Sequence, residues 1–197
     1  EESFYDFISV QPYIVLFVDG NHENFNKLNS YPMEVWNGGY VHKLRHNLIH
    51  LMRGEIYIIE GKTFFTFGGG YSIDKPFRKE NVSWWPAEMP NTKEYENGLQ
   101  HLSNRDHVDY IITHTAPDET VYFLSTIKQF HIKGDVYQEM PLTTYLNDIQ
   151  KNTNYTHWYF GHFHVDKELW RNQTAVFNTL YELESHQIIR QWNTYEG

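Results

Sequence analysis

Three times in this chain an apolar run of strand length ends in a short polar segment that carries asparagine or histidine. Tyr13-Ile14-Val15-Leu16-Phe17-Val18 leads into Asp19-Gly20-Asn21-His22-Glu23, and Val108-Asp109-Tyr110-Ile111-Ile112 leads into Thr113-His114-Thr115-Ala116-Pro117. The third run, Tyr155-Thr156-His157-Trp158-Tyr159-Phe160, leads into Gly161-His162-Phe163-His164. Runs of this kind are the pattern of buried strands. In open α/β sheets ligands bind at the carboxyl ends of strands. The chain is thus constrained toward an α/β fold whose polar side chains gather at strand ends. Residues i and i+2 of a strand share a face, so His162 and His164 read as a pair of ligand nitrogens, neutral imidazole being a ligand for zinc, iron, nickel and copper. Gly161 allows a sharp turn and close approach of a ligand. In a chain with 12 His a chance pair competes with that reading; three strand-then-ligand segments together outweigh it.

Composition narrows the class further. A length of 197 residues with 40% hydrophobic and 17% aromatic residues suits one folded domain over 1–197 with a substantial core. With no Cys there are neither disulfides nor thiolate ligands, which suits a reducing cytoplasm. The apolar runs are strand-sized and no signal-peptide pattern is visible, so no membrane partner is expected. A formal charge of −9 argues against nucleic acid as a partner, although a local basic groove stays open.

Along the chain, helical spacing of Phe4, Phe7 and Ile8 predicts a short helix over 3–10, ended by Gln11-Pro12. Tyr13 to Val18 is expected to be a buried strand, and Asn24 to Leu28 to begin a helix. Asn37-Gly38-Gly39 is a turn. Leu48 to Met52, Glu55 to Ile59 and Thr63 to Phe67 read as three consecutive strands, the last two joined by a hairpin at Glu60-Gly61-Lys62. Gly68-Gly69-Gly70 lacks the Walker pattern. Trp84-Trp85-Pro86 reads as an aromatic packing loop, and Thr92 to Ser103 as a helix with Thr92 as N-cap. A helix is expected within 118–128, a surface loop with Gly134-Asp135 over 130–140, and a helix over 143–151. Ala175 to Leu183 and Gln187 to Trp192 read as closing strands around a turn at Glu184-Ser185-His186.

Gly20-Asn21-His22-Glu23, Thr113-His114 and Gly161-His162-Phe163-His164 occur in an order and context that resembles the calcineurin-like metallophosphoesterases, over most of the chain from about Tyr13 onward. The resemblance implies a four-layer fold, a β-sandwich of mixed sheets flanked by helices, and a centre of two divalent ions such as Mn, Fe, Zn or Ni. Two ions about 3.5–4 Å apart supply a hydroxide nucleophile and neutralise phosphoryl charge. It implies that Asn21, His114 and His162 bind the second ion and His164 the first. His22 would face the substrate as the catalytic group that protonates the leaving oxygen, and Glu23 would orient its surroundings. Ser72, Asp74 and Arg78 would line the substrate pocket. His42, His46, His50, His101, His107, His131, His157 and His186 show no partner at ligand spacing and read as surface or packing residues.

The chain departs from the family pattern before Asn21. The family opens with Asp-x-His and Gly-Asp, which complete the first ion site and bridge both ions; neither occurs here, Asp6 lying in a helical segment and Gly134-Asp135 coming too late. By this count one ion or none is expected in this chain and two in a complete site, and the first strands of the sheet are expected to be missing. Truncation, a separate piece carrying the motifs, and loss of catalysis compete as explanations, and a start at Glu1-Glu2 favours the first two. A bound N-terminal fragment or a homo-oligomer is then an expected partner, because open sheet edges invite pairing. The expected function is metal-dependent hydrolysis of a small phosphomonoester or phosphodiester, a nucleotide among the candidates. The alternative is an inactive binding or scaffold domain.

Overall fold

The computed structural model describes residues 2–127 and 138–192; the Gly134-Asp135 loop and His131 lie outside them. The fold is α/β, with mixed sheets flanked by helices. One sheet holds β1 (Val15–Phe17), β4 (Leu48–Leu51), β3 (Gly39–Arg45) and β2 (Met33–Trp36) in that order, with β1 parallel to β4 and the rest antiparallel. The other runs β5 (Glu55–Ile59), β6 (Lys62–Phe67), β7 (His107–Thr113), β8 (Asn154–Phe160), β10 (Gln173–Ala175), β9 (Lys167–Leu169). Its centre, β6-β7-β8-β10, is parallel. A two-stranded ribbon, β11 (Thr179–Tyr181) and β12 (Ile188–Gln191), completes the strands.

Three apolar clusters explain the layering. Val41, Ile49, Leu51, Tyr57, Phe64, Tyr110 and Tyr159 come from both sheets and fill the space between them. The alternate residues of the same strands, Phe65 and Phe67 on β6 and Trp158 and Phe160 on β8, pack the opposite way. There they meet Leu102 of α3 (Thr92–Ser103), Leu124 of α4 (Asp118–Thr126) and Leu142, Leu146 and Ile149 of α5 (Met140–Asn152). The period-2 alternation of a strand thus serves two cores at once. On the far face of the four-stranded sheet, Ile8 of α1 (Glu2–Ser9) and Phe25 and Leu28 of α2 (Phe25–Leu28) pack on Leu44, Leu48 and Trp85. Among the described residues no helix is long and apolar enough to cross a membrane.

Several local expectations are corrected. The apolar run at Tyr13 to Val18 forms a strand of only three residues, all half-buried, because β1 sits at the edge of its sheet. Leu48 to Leu51 and Glu55 to Ile59 are consecutive but belong to different sheets; the turn through Arg53 and Gly54 carries the chain across the sandwich. The β2–β3 hairpin around Asn37-Gly38 has no strand signal in the sequence beyond its turn, since Met33, Glu34, Val35 and Tyr40 are all exposed and blur the alternation. Its turn carries positive φ at both central residues, Asn37 at 49° and Gly38 at 99°, the geometry that matches strand twist. The N-cap of α3 is Asn91 rather than Thr92, closing a capping box with Glu94. Ala175 to Leu183 is divided between β10 and β11, and β9 had no sequence signal.

Candidate functional site

Four loops converge where strands end: those after β1, β6, β7 and β8. They are hydrogen-bonded backbone to backbone, Gly69 N–H donating to Asp19 O at 2.9 Å, His114 N–H to Phe67 O at 3.4 Å and Gly161 N–H to His114 O at 3.0 Å. Gly20 is required by packing: a Cβ there would lie 2.9 Å from Cε1 of His114.

Asn21, His114 and His162, from three of these loops, meet. His114 Nε2 lies 3.1 Å from Asn21 Oδ1 and 3.1 Å from His162 Nδ1. The amide of Asn21 is oriented from behind, its Nδ2 donating to Ser72 Oγ at 3.1 Å. Ser72 in turn donates to Glu88 Oε2 at 2.7 Å, and its N–H reaches Glu88 Oε1 at 3.0 Å. Asn21 therefore presents its oxygen, not its nitrogen, to His114. Burial lowers the pKa of His114 to about 4, with His22 and His164 adding to the effect against the pull of Asp19. Burial likewise lowers His162 to about 3, with His114, His164 and His22 contributing. At neutral pH both rings are uncharged and have a lone pair to offer.

Nitrogens bound to one ion at about 2.0–2.1 Å lie roughly 2.9–3.4 Å apart for octahedral to tetrahedral angles. The 3.1 Å separations at His114 are those of donors that can share an ion, and an amide oxygen with two imidazoles is a borderline donor set suited to a first-row divalent metal. The three residues fit one such ion. Among the described residues, no group of three or more His, Cys, Asp or Glu side chains could hold a metal; the third donor here is an amide.

The other site residues fall around this centre. His164 is exposed and stacks on Phe177, ring centroids 4.9 Å apart. The shared-face argument for the pair of histidines fails, because β8 ends at Phe160 and both residues lie in a turn with left-handed backbone, φ 68° at His162 and 51° at His164. His22 is exposed. Its pKa is lowered by partial burial and then by Arg78, while Asp74 and Glu88 oppose. Asp74 and Arg78 form an i,i+4 ion pair at 2.6 Å. Glu23 accepts the N–H of Gly20 at 3.4 Å. Ser72 lies behind Asn21 as a support and not on an open pocket wall.

Arg53, Glu88 and Glu139 carried no sequence signal, and His42 and His50 none beyond a surface or packing role. Arg53 is buried and donates to Asp19 Oδ2 from Nε at 2.9 Å, to Glu94 Oε2 at 3.2 Å and to the carbonyls of Ala87 and Glu88 at 2.9 and 3.2 Å. His50 Nε2 engages the other oxygen of Asp19 at 3.0 Å. Burial pushes the Asp19 carboxyl up, but Arg53 and His50 together hold it well below the ordinary carboxylate range. Both oxygens of Asp19 are thus spent on structure. His42 backs His50, Nδ1 to Nδ1 at 3.2 Å, so of the two expected roles, surface or packing, both histidines take the second, in a buried network. Glu88 holds Ser72. Glu139, in the stretch read as a surface loop, reaches His162.

No family model, curated protein or solved structure matches this chain.

Proposed function

We propose that this chain is a metallophosphoesterase-type domain that binds a divalent metal ion through Asn21 Oδ1, His114 Nε2 and His162 Nδ1 and, where a second ion site is completed beside it, serves the hydrolysis of small phosphate mono- or diesters. The single observation that carries it is the meeting of those three donors, from three separate strand-end loops, at 3.1 Å around His114. The arrangement of two facing mixed sheets between helical layers is in keeping with the fold that the sequence motifs imply. A bound metal supplies a nucleophile at neutral pH and neutralises charge on phosphoryl oxygens. The residues of the chain do the rest. Asn21 and the two imidazoles hold and orient, Ser72 and Glu88 keep the amide oxygen facing inward, and the exposed imidazole of His22 lies beside them to hydrogen-bond the leaving oxygen.

A specific observation favours a second reading, that of a binding or scaffold domain without turnover. His164 is exposed and stacks on Phe177, and Asp19, just before the motif, has both side-chain oxygens engaged by His50 and Arg53. Three donors suffice for one ion; a lone imidazole does not suffice for a second. We therefore expect one equivalent of Zn²⁺ or Mn²⁺ per chain and little hydrolysis of aryl phosphates. His114→Ala should abolish tight binding, and His22→Ala should preserve it. Titration calorimetry decides: no binding by the wild type rejects the donor set, and two equivalents with turnover reject the scaffold reading. As partner we propose a second copy of the chain or another strand-forming segment, since among the described residues β1 has a strand neighbour on one side only, and it flanks an apolar cavity of about 460 Å³ lined by Leu16, Ile112, Tyr159, Val176 and Leu180. Sedimentation of a purely monomeric species at high concentration would count against self-pairing.

A further inference from the structure

We propose that Glu139 is the positioning residue of His162: its carboxylate takes the Nε2–H of that imidazole, and so turns the Nδ1 lone pair toward His114 and Asn21. As a contribution to metal binding this rests on the donor set proposed above; as a statement about a tautomer it stands alone.

The two nitrogens of His162 have different neighbours. Nδ1 is 3.1 Å from His114 Nε2, whereas Nε2 is 3.6 Å from Glu139 Oε1. Glu139 occupies the N-cap position of α5, yet its side chain makes no capping hydrogen bond to its own helix. It points instead into the site, where Oε1 accepts the N–H of Tyr71 at 3.1 Å. The side chain is nearly covered, 11% accessible, and a Cβ on Gly70 would lie 3.4 Å from Oε1. One carboxylate thus links the loops after β6 and β8. At 3.6 Å the contact to His162 is longer than a formed hydrogen bond, and a small rotation of either side chain closes it. His162 is held in left-handed backbone, a conformation that a non-glycine residue keeps only when its surroundings enforce it. His114 on one side of the ring, Phe163 at its edge and Glu139 on the other supply that enforcement. A carboxylate on the outer nitrogen of a ligand histidine fixes its tautomer and orientation, and its loss costs about 10–100-fold in metal affinity.

The test is imidazole ¹⁵N–¹H correlation NMR of the metal-free 197-residue chain at pH 8, with Zn²⁺ affinity measured by chelator competition. In the wild type His162 should be the Nε2–H tautomer. Glu139→Leu should populate the Nδ1–H form and weaken Zn²⁺ at least about tenfold. Glu139→Gln, which retains an oxygen acceptor, should restore the Nε2–H form and most of the affinity. An Nδ1–H tautomer in the wild type overturns the proposal whether or not Glu139→Leu folds, as does Zn²⁺ affinity unchanged in a folded Glu139→Leu. A wild type with the Nε2–H tautomer that binds no Zn²⁺ rejects the donor set and leaves the orienting contact in place.

Discussion

Gly20 shows how finely the candidate site is fitted at the scale of single residues. The His114 ring passes directly over it, with Gly70 on another side, where a Cβ would come 3.1 Å from Cδ2. Gly20→Ala should push the ring by a few tenths of an ångström and cost about 1–3 kcal/mol, the usual range for overpacking. Because the displaced atom belongs to a donor ring, Zn²⁺ binding should weaken together with stability. Urea denaturation and chelator competition on the same variant read the two losses. A variant of unchanged stability and affinity would mean that the ring has room the geometry denies it. Asn21 teaches a related lesson. Its position was legible from the motif, but its orientation comes from Ser72 and Glu88, residues 51 and 67 positions further on, which no local pattern connects to it.

At the scale of elements, the turn between β4 and β5 matters more than its sequence suggests. Arg53 leaves that turn, which joins the two sheets, and binds Asp19 of the β1 loop, the carbonyls of Ala87 and Glu88 and the first turn of α3 through Glu94. Removing one partner of a buried ion pair leaves the other charged and unpaired, at a cost of about 3–5 kcal/mol. Arg53→Met should therefore destabilise the fold by that amount and loosen the Asn21 loop, visible as faster amide exchange at Gly20 and Asn21. A loss below about 1 kcal/mol would mean that Asp19 finds water. A smaller effect belongs to α3, where Asn91→Ala removes one side of the capping box and should cost about 1 kcal/mol; an unchanged midpoint would mean that the helix start does not depend on it.

Across the whole molecule, His42 is buried and His114, His157 and His162 are partly buried, and at neutral pH all four rings are uncharged. Burial is the leading cause in every case: it lowers His42, His114 and His157 to about 4 and His162 to about 3 from an ordinary 6.5. Between about pH 4 and 6.5 the unfolded chain binds these protons and the folded chain does not, so stability rises with pH there, by up to about 1.4 kcal/mol per pH unit for each group. Glu139 opposes, since burial lifts its carboxyl to about 7: the folded state keeps a proton that the unfolded state releases. Four groups outweigh one. The metal-free chain should accordingly have a lower urea midpoint at pH 5.5 than at pH 7.5, and an equal or higher midpoint at pH 5.5 would contradict the burial of these rings.

What the sequence determined by itself was periodic or contiguous. Apolar runs marked β1, β7 and β8, the glycine turns marked the β5–β6 hairpin and the bend at Asn37-Gly38, and the motifs at Asn21, His114 and His162 marked three loops that do come together. These features act within a few residues, where backbone sterics and alternation operate. Tertiary structure alone decided the rest. The edge position of β1 left a predicted buried strand half-exposed, and the end of β8 at Phe160 put His162 and His164 in a turn and sent His164 outward to Phe177. Arg53, Glu88 and Glu139 became parts of the site only because folding brought charges from distant segments into one water-poor place. There an unpaired polar group is costly and must find a partner wherever the chain supplies one, and the linear sequence holds no local record of that partner.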